Sequence, residues 1–534
     1  LDHFLVEEVM NLLMNVSEAV ATHARLSPQK LGARDSKRQL TYEQWDRRAT
    51  QLANGLRGLG LQKGDKVALL AYNCLEWIEI YAALARAGLV AVPINFRLTS
   101  PEIEYIAKDC DAVAFIVQDE LIERVEPIKS QLNIANKTYV GFGQKVPPHW
   151  TDYENLIAAA PAFLQHVEVL PADMSALMYT SGTTGKPKGV IRSHEGSTMI
   201  ALATAIELGF TSADTSLLVM PMCHANSLYF CHTFIQLGAT CIIDDKKSFD
   251  PEALLDILSN EKVTFTSLVP THYIMMLGLP NEVKAKYDVS AVEKLMISSA
   301  PARRDTKLAI MEFFNNAKLY ELYGSTEAGW VTLLRPHEQL ERMSTVGREW
   351  AGSGPIKLLD AQGIEVKDGE VGELFSRTPY VFDGYWKNLE KTAEAFRGNW
   401  CSVGDMAMRD KDGYIHLVDR KSNMIISGGE NIYPSEVESV IGSHPKVKDV
   451  AVLGLPHEKW GEAVHAVVVL HDKAKVGAQD LMEWCKSRIA GYKRPQSISF
   501  VSDSDMPRTA TGKILHRVLR QKITENALQD ELAA

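Results

Sequence analysis

The chain of 534 residues has no apolar run long enough to cross a bilayer, and its opening stretch carries no signal-peptide pattern. Stable membrane insertion and secretion are therefore not expected. A basic excess is also missing. With 57 Lys and Arg against 67 Asp and Glu, the formal charge is −10. That argues against nucleic acid as a partner, because a phosphate backbone rewards a basic face, whereas a single nucleotide needs only a few local cations. Cysteines number seven, at 74, 110, 223, 231, 241, 401 and 485, with no CxxC pair and no ligand-like cluster. They are expected to be reduced and mostly buried, in a cytoplasmic setting and without a structural zinc. The acceptor triplet Asn136-Lys137-Thr138 carries no weight without secretion. Internal repeats and low-complexity tracts are lacking too.

What remains, at 46% hydrophobic and 23% charged residues, is an ordinary globular composition. The length calls for more than one domain. The stretch to about residue 30 is helical in pattern. Thr41 and Gln44 have capping-box spacing ahead of a helical run. Val67-Ala68-Leu69-Leu70-Ala71 then reads as a buried strand. Trp77, Ile80, Tyr81 and Leu84 mark one helix face with Gly88 as its stop, and Ala91-Val92-Pro93-Ile94 is the next short strand. Alternation of this kind predicts βαβ units and a mainly parallel sheet, and it resumes from Ala176 to about residue 340. From residue 350 short strands separated by Asp-Gly and Gly-Glu turns, as in Lys367-Asp368-Gly369-Glu370, predict a small antiparallel region. A basic, glycine-rich segment follows Arg420, which places the expected boundary at Asp419–Lys421 and gives domains 1–419 and 420–534.

The segment richest in chemistry is Tyr179-Thr180-Ser181-Gly182-Thr183-Thr184-Gly185-Lys186-Pro187-Lys188-Gly189-Val190, directly after the strand-like Ala176-Leu177-Met178. Small residues let backbone N–H groups approach phosphate oxygens, hydroxyls add donors, and Lys188 supplies charge. It is not the Walker loop, because only two residues separate Gly182 from Gly185-Lys186. A plain polar turn is the bland alternative, and so dense a packing of hydroxyls, glycines and lysines after a buried strand disfavours it.

This segment closely resembles the signature loop of the adenylate-forming superfamily, which holds acyl- and aryl-CoA synthetases (AMP-forming), peptide-synthetase adenylation domains and beetle luciferases. Further motifs in the family's order extend the resemblance over nearly the whole chain. Tyr320-Glu321-Leu322-Tyr323-Gly324-Ser325-Thr326-Glu327 resembles the motif in which Tyr323 would stack on adenine, Thr326 touch phosphate and Glu327 hold magnesium. A hard cation bridging phosphates wants a carboxylate oxygen, and a base wants a flat partner. Ser298-Ser299-Ala300-Pro301 matches the adenine-side turn, with less glycine than is usual there. Asp405 and Arg420 fall in the two ribose-binding motifs. Pro507-Arg508-Thr509-Ala510-Thr511-Gly512-Lys513 resembles the C-terminal motif whose lysine bridges the carboxylate and α-phosphate. The glycines of Ser427-Gly428-Gly429-Glu430 would line the pantetheine tunnel, and Ser422 stands at the hinge position.

Coenzyme A as acceptor rests on Arg97, Trp460, Tyr492 and Arg494, with Gly428 and Gly429, at positions where aryl-CoA ligases hold it. Pro221-Met222-Cys223-His224 matches the segment that gates the acyl pocket, and no aspartate follows between Met222 and Leu228 to pair an amino acid's amine. Trp330 is bulky enough to shorten that pocket, which leans toward short, medium or aromatic acids, unless it faces solvent. No carrier domain precedes Ala534, so a freestanding enzyme is expected. The resemblance implies a large α/β N-terminal domain and a small mobile α+β C-terminal domain. It further implies a ligase using ATP, Mg2+, coenzyme A and a small carboxylic acid, and it leaves a homodimer open. A luciferase-like oxygenase would share the adenylation motifs and dispense with coenzyme A, as would an enzyme with another acceptor. A dead regulator would have lost Lys513 and Glu327, which are both present.

Overall fold

Continuous apolar runs bounded by turns form buried strands, as the parallel pair Lys66–Leu70 and Val90–Ile94 does in the computed structural model. Described in it are residues 14–163, 167–180, 187–300, 302–427, 430–472, 474–486, 488–509 and 512–533. Contacts divide the chain into two units. The first comprises Leu1–Met343, Gly347–Pro355 and Ser376–Cys401, and the second Ser344–Val346, Ile356–Phe375 and Ser402–Ala534.

The first unit holds two large sheets. One runs through Val90–Ile94, Lys66–Leu70, Ala112–Gln118, Tyr139–Phe142 and Thr151–Asp152, all parallel. On its other side Met174–Thr180 joins in parallel, and Lys188–Ser193 and Gly384–Tyr385 close the edge antiparallel. The second has six parallel strands, Leu31–Arg34, Thr240–Ile243, Thr215–Leu218, Phe265–Leu268, Lys294–Ile297 and Lys318–Ser325, continued antiparallel by Gly329–Leu334. One apolar core draws on both sheets, with Leu69, Ala91 and Met178 from the first and Leu218, Phe265 and Leu333 from the second.

The capping box at Thr41 and Gln44 is present and opens the helix Tyr42–Gly58. The helix Glu76–Ala87 ends at Gly88, whose φ of +67° is the left-handed cap glycine adopts without strain. Its expected face is buried, but Ile78, Ala82, Ala83 and Ala85 are buried as well, so this helix is enclosed on every side. Glu79 within it is neutralised by Arg38 at 3.1 Å, by Arg48 and by the Tyr153 hydroxyl at 3.0 Å. All seven cysteines are buried and free.

In the second unit Lys357–Leu359, Val371–Phe375, Asp405–Arg409 and Ile415–Arg420 form the expected small antiparallel sheet. The remainder is built on the hairpin Val447–His457 and Gly461–Leu470. Period-two alternation sends its side chains to opposite faces. Val450, Val452, Val464 and Ala466 pack with Val437, Ile441 and Leu481, whereas Ala451, Leu453, Val467 and Val469 pack with Met506 and Leu519. The division differs from the expected 1–419 and 420–534. Strand Asp405–Arg409 pairs with Val371–Phe375 on one side and Ile415–Arg420 on the other, and this antiparallel sheet groups with the C-terminal residues.

Candidate active site

Strand Met174–Thr180 pairs antiparallel with Lys188–Ser193, Thr180 opposite Lys188, on either side of the hydroxyl- and glycine-rich segment. Of the residues expected there, Ser181, Gly182, Thr183 and Thr184 lie outside the described residues, while Thr180 and Lys188 stand at its two feet. Thr326 and Glu327 occupy the turn between Lys318–Ser325 and Gly329–Leu334. That turn is tight: a Cβ on Gly324 would lie 2.3 Å from the Gly329 carbonyl oxygen, and Ala328 N–H donates to Ser325 Oγ at 2.9 Å.

Glu327 is only 8% exposed. Its Oε1 accepts from the Tyr385 hydroxyl at 2.9 Å and from Thr180 Oγ1 at 3.5 Å. Lys188 Nζ sits 4.1 Å from the centre of the Tyr385 ring. Thr180, Lys188 and Glu327 thus converge on Tyr385. From behind, the buried Arg192 donates to the carbonyls of Glu327 at 3.4 Å and Tyr380 at 2.7 Å, which fixes the turn. Sequence reading missed both residues. Tyr385 lies in a two-residue strand with no periodic signal, and Arg192 follows Val190 and Ile191 in a short strand that also carries Lys188 and Ser193. No group of three or more His, Cys, Asp or Glu able to hold a metal occurs among the described residues. Glu327 is a single hard oxygen donor, which suits Mg2+ that draws its other ligands from phosphates and water.

Glu321, expected at the nucleotide, has a buried side chain. Its carboxylate forms an ion pair with Lys307, and the two side chains are 5% and 0% exposed. A backbone N–H from Ala302 adds a weak contact at 3.4 Å. Tyr323, half-buried, precedes a register shift between Tyr323 and Gly324 that re-aims the strand end. Ser298 is buried and bonds Asn226 Nδ2 at 3.0 Å. Ser299 next to it has φ +68°, a left-handed backbone that costs a non-glycine residue roughly 1–2 kcal/mol. Ser299 and Ala300 are exposed, and Pro301 lies outside the described residues.

His224 caps the N-terminus of Ala225–Gln236. Its buried Nε2 and the buried Nδ1 of His272 have no hydrogen-bond partner among the described residues. Burial, aided by the Arg97 charge, pushes both imidazoles down to about 4, so they are neutral at pH 7. Arg97, expected at coenzyme A, therefore makes its charge felt at His224 and His272. Trp330 faces the core rather than solvent: its Nε1 donates to Thr204 Oγ1 at 2.9 Å, and its ring packs with Tyr229, Phe230 and Trp350.

In the second unit Asp405 and Arg420 are register partners, joined Nε to Oδ1 at 3.0 Å. Lys513 sits on a turn closed by Thr509, whose N–H donates to the Lys513 carbonyl at 2.7 Å and whose Oγ1 accepts the Lys513 N–H at 3.1 Å. Gly512, with φ +83°, makes the bend. As a residue Lys513 is exposed, yet desolvation by surrounding protein and the Arg420 charge hold its ammonium below the usual lysine range, against Asp405 and Asp419. Asp419 Oδ2 accepts the Ser435 N–H at 2.9 Å, and Lys421 Nζ pairs with Glu373 at 2.8 Å. Ser422 lies exposed in the turn Lys421–Asn423.

Trp460 and Tyr492 are exposed at 41% and 49%. Arg494 instead spends its guanidinium on the carbonyls of Lys486 at 2.7 Å and Ile489 at 3.2 Å, capping a helix end. Gly428 and Gly429 lie outside the described residues.

Residues 20–386 match the model of the AMP-binding enzyme family, and residues 436–513 match that of the AMP-binding enzyme C-terminal domain. A feruloyl-CoA synthase of Amycolatopsis sp is 36% identical over 93% of this chain and 97% of its own. An indoleacetate–CoA ligase of Aromatoleum aromaticum is 33% identical over 97% and 100%. The crystal structure of an anthranilate CoA ligase with anthranoyl-AMP superposes with a TM-score of 0.87 at 28% identity, covering 98% of this chain and 99% of the other. The chain belongs to the AMP-binding enzyme family, the adenylate-forming ligases. Its activity is that of an AMP-forming acid–thiol ligase, which joins a small carboxylic acid to coenzyme A at the expense of ATP. No helix among the described residues is long and apolar enough to cross a membrane.

Proposed function

We propose that this ligase adenylates an aromatic carboxylic acid with Thr180, Lys188, Thr326 and Glu327 around the phosphates and Lys513 at the reacting oxygens. The convergence of Thr180, Lys188 and Glu327 on Tyr385 carries this reading. In the first step a carboxylate oxygen attacks the α-phosphorus, the bond to the β-phosphate bridging oxygen breaks, and pyrophosphate leaves. Two anions approach each other there, so a cation must screen both, and Lys513 supplies it. Lys188 and the hydroxyl- and glycine-rich segment hold the departing phosphates. Mg2+ would be held by Glu327 and by phosphate oxygens, where it neutralises developing charge. Tyr385 and Arg192 keep the Glu327 carboxylate and its turn in place.

In the second step the thiol sulfur attacks the acyl carbonyl, AMP departs and the thiol proton is released. Lys513 withdraws as the segment after Ser422 turns, and the Gly428–Gly429 loop lines the path of the thiol. The ribose is held by Asp405 and Arg420. Aromatic acids are favoured because the named substrates of the feruloyl, indoleacetate and anthranilate ligases are aromatic. Neutral imidazoles at His224 and His272 suit an uncharged ring. Pyrophosphate release measured over a panel of aromatic and straight-chain acids, with and without coenzyme A, tests this. Aromatic acids should turn over fastest and acyl-CoA should form. Preference for long straight chains would reject the substrate assignment.

A further inference from the structure

We propose that His516 is a positioning residue for Lys513, and that its ion pair with Glu438 holds the lysine turn in place during adenylation. The inference rests on the role given to Lys513 above. His516 opens the helix His516–Ala533 three residues after Lys513. The turn between is anchored at both feet. On one side Arg508 pairs with Asp449, reaches Asp503 at 3.3 Å and donates to the Gly512 carbonyl at 3.2 Å. On the other, His516 Nε2 lies 2.8 Å from Glu438 Oε1, and both side chains are largely covered. Glu438 is itself a fixed post. It stands on the helix Pro434–Gly442, and the same oxygen accepts the Val452 N–H at 2.8 Å from the central hairpin strand.

The two anchors differ chemically. Arg508 keeps its charge at every accessible pH, whereas a histidine can lose its own. Three charged groups bear on His516: Glu438 from the neighbouring helix, Asp419 from the strand Ile415–Arg420, and Lys513 from its own turn. The strand Val447–His457 contributes a backbone N–H to Glu438, and its Asp449 is taken by Arg508. Burial alone would lower the His516 pKa, but the hydrogen bond and charge of Glu438, with Asp419, outweigh it and hold the imidazolium above the usual histidine range, against Lys513. As pH rises through that value the charge-assisted bond becomes an ordinary one of roughly half the strength, and the Lys513 turn loses one fixed foot. Lys513, whose ammonium is held below the usual lysine range, can also lose its proton as pH rises, and the His516 variants tell the two losses apart.

The test is the adenylation half-reaction, followed by pyrophosphate release from neutral to alkaline pH, in wild type, His516→Arg and His516→Gln. Thioester formation from supplied acyl-adenylate is measured alongside. Wild type should lose about 3- to 10-fold in adenylation rate in one step as the His516 imidazolium loses its proton. His516→Arg should lack that step, His516→Gln should run at the slower rate throughout, and thioester formation should be unchanged in both. Glu438→Gln, which keeps the histidine, should move this step toward acid and covers the case in which His516→Gln folds poorly. A wild-type profile in His516→Gln, or equal losses in both half-reactions, would overturn the proposal. Lys513→Ala separates the two levels. Normal adenylation in that variant rejects the lysine's role itself, whereas slow adenylation there with unmoved His516 profiles rejects only the positioning role.

Discussion

Replacing Lys307 by methionine isolates its buried ion pair with Glu321. Lys307 is wholly buried and Glu321 nearly so, and they tie the helix Arg304–Phe313 to the strand that carries the Thr326–Glu327 turn. Removing the cation leaves a carboxylate without water or partner, a loss of about 3–5 kcal/mol, whereas removing both charges is about neutral or even stabilising. Lys307→Met should therefore cost about 3–5 kcal/mol in urea unfolding, and adding Glu321→Gln should restore most of it. The pH dependence has a definite sign. Burial holds the Glu321 carboxyl above the usual range, against Lys307 and the Ala302 N–H. A carboxyl raised in the folded state favours folding while protonated, and that benefit is lost as pH rises through its folded value. Lys307→Met raises this value further, so its deficit should be largest at neutral pH and shrink in acid. A deficit below about 1 kcal/mol, one that grows in acid, or a double variant as unstable as the single would refute this reasoning.

Two further substitutions probe the neighbouring turns. Ser299→Gly should stabilise the protein by up to about 1 kcal/mol, because glycine accepts the left-handed backbone that serine resists, and a loss of stability on urea unfolding would contradict this. Tyr385→Phe removes the hydroxyl that binds Glu327 but keeps the ring beneath Lys188, so the initial rate of pyrophosphate release should fall about 10- to 100-fold with little loss of stability. A full rate in this variant would remove Tyr385 from the site.

Local signals were readable wherever one segment decides the outcome. The run at Val67–Leu70, the capping box at Thr41 and the left-handed Gly88 depend on their immediate neighbours and emerge as expected. Long-range packing was not readable. Nothing in Trp77, Ile80 and Tyr81 tells that the opposite face of their helix is also covered. Glu321 sits in a motif that suggests a ligand, and only the fold reveals Lys307 beside it. Arg494 reads as a free cation until the carbonyls of Lys486 and Ile489 are seen around it. Tyr385 is the clearest omission. A lone tyrosine in a two-residue strand carries no period, and its meaning comes wholly from Glu327 and Lys188 brought next to it. The antiparallel sheet was legible as strands and turns, but its allegiance to the C-terminal residues was not, since pairing of Val371–Phe375 with Asp405–Arg409 leaves no trace in either segment alone.

The division of labour between the half-reactions is tested most directly with Lys513→Ala, assayed for pyrophosphate release from acid and ATP and for thioester formation from supplied acyl-adenylate. Adenylation should slow by about 100-fold or more while thioester formation stays at the wild-type rate. Equal losses in the two steps would contradict a lysine that acts in the first and stands aside in the second.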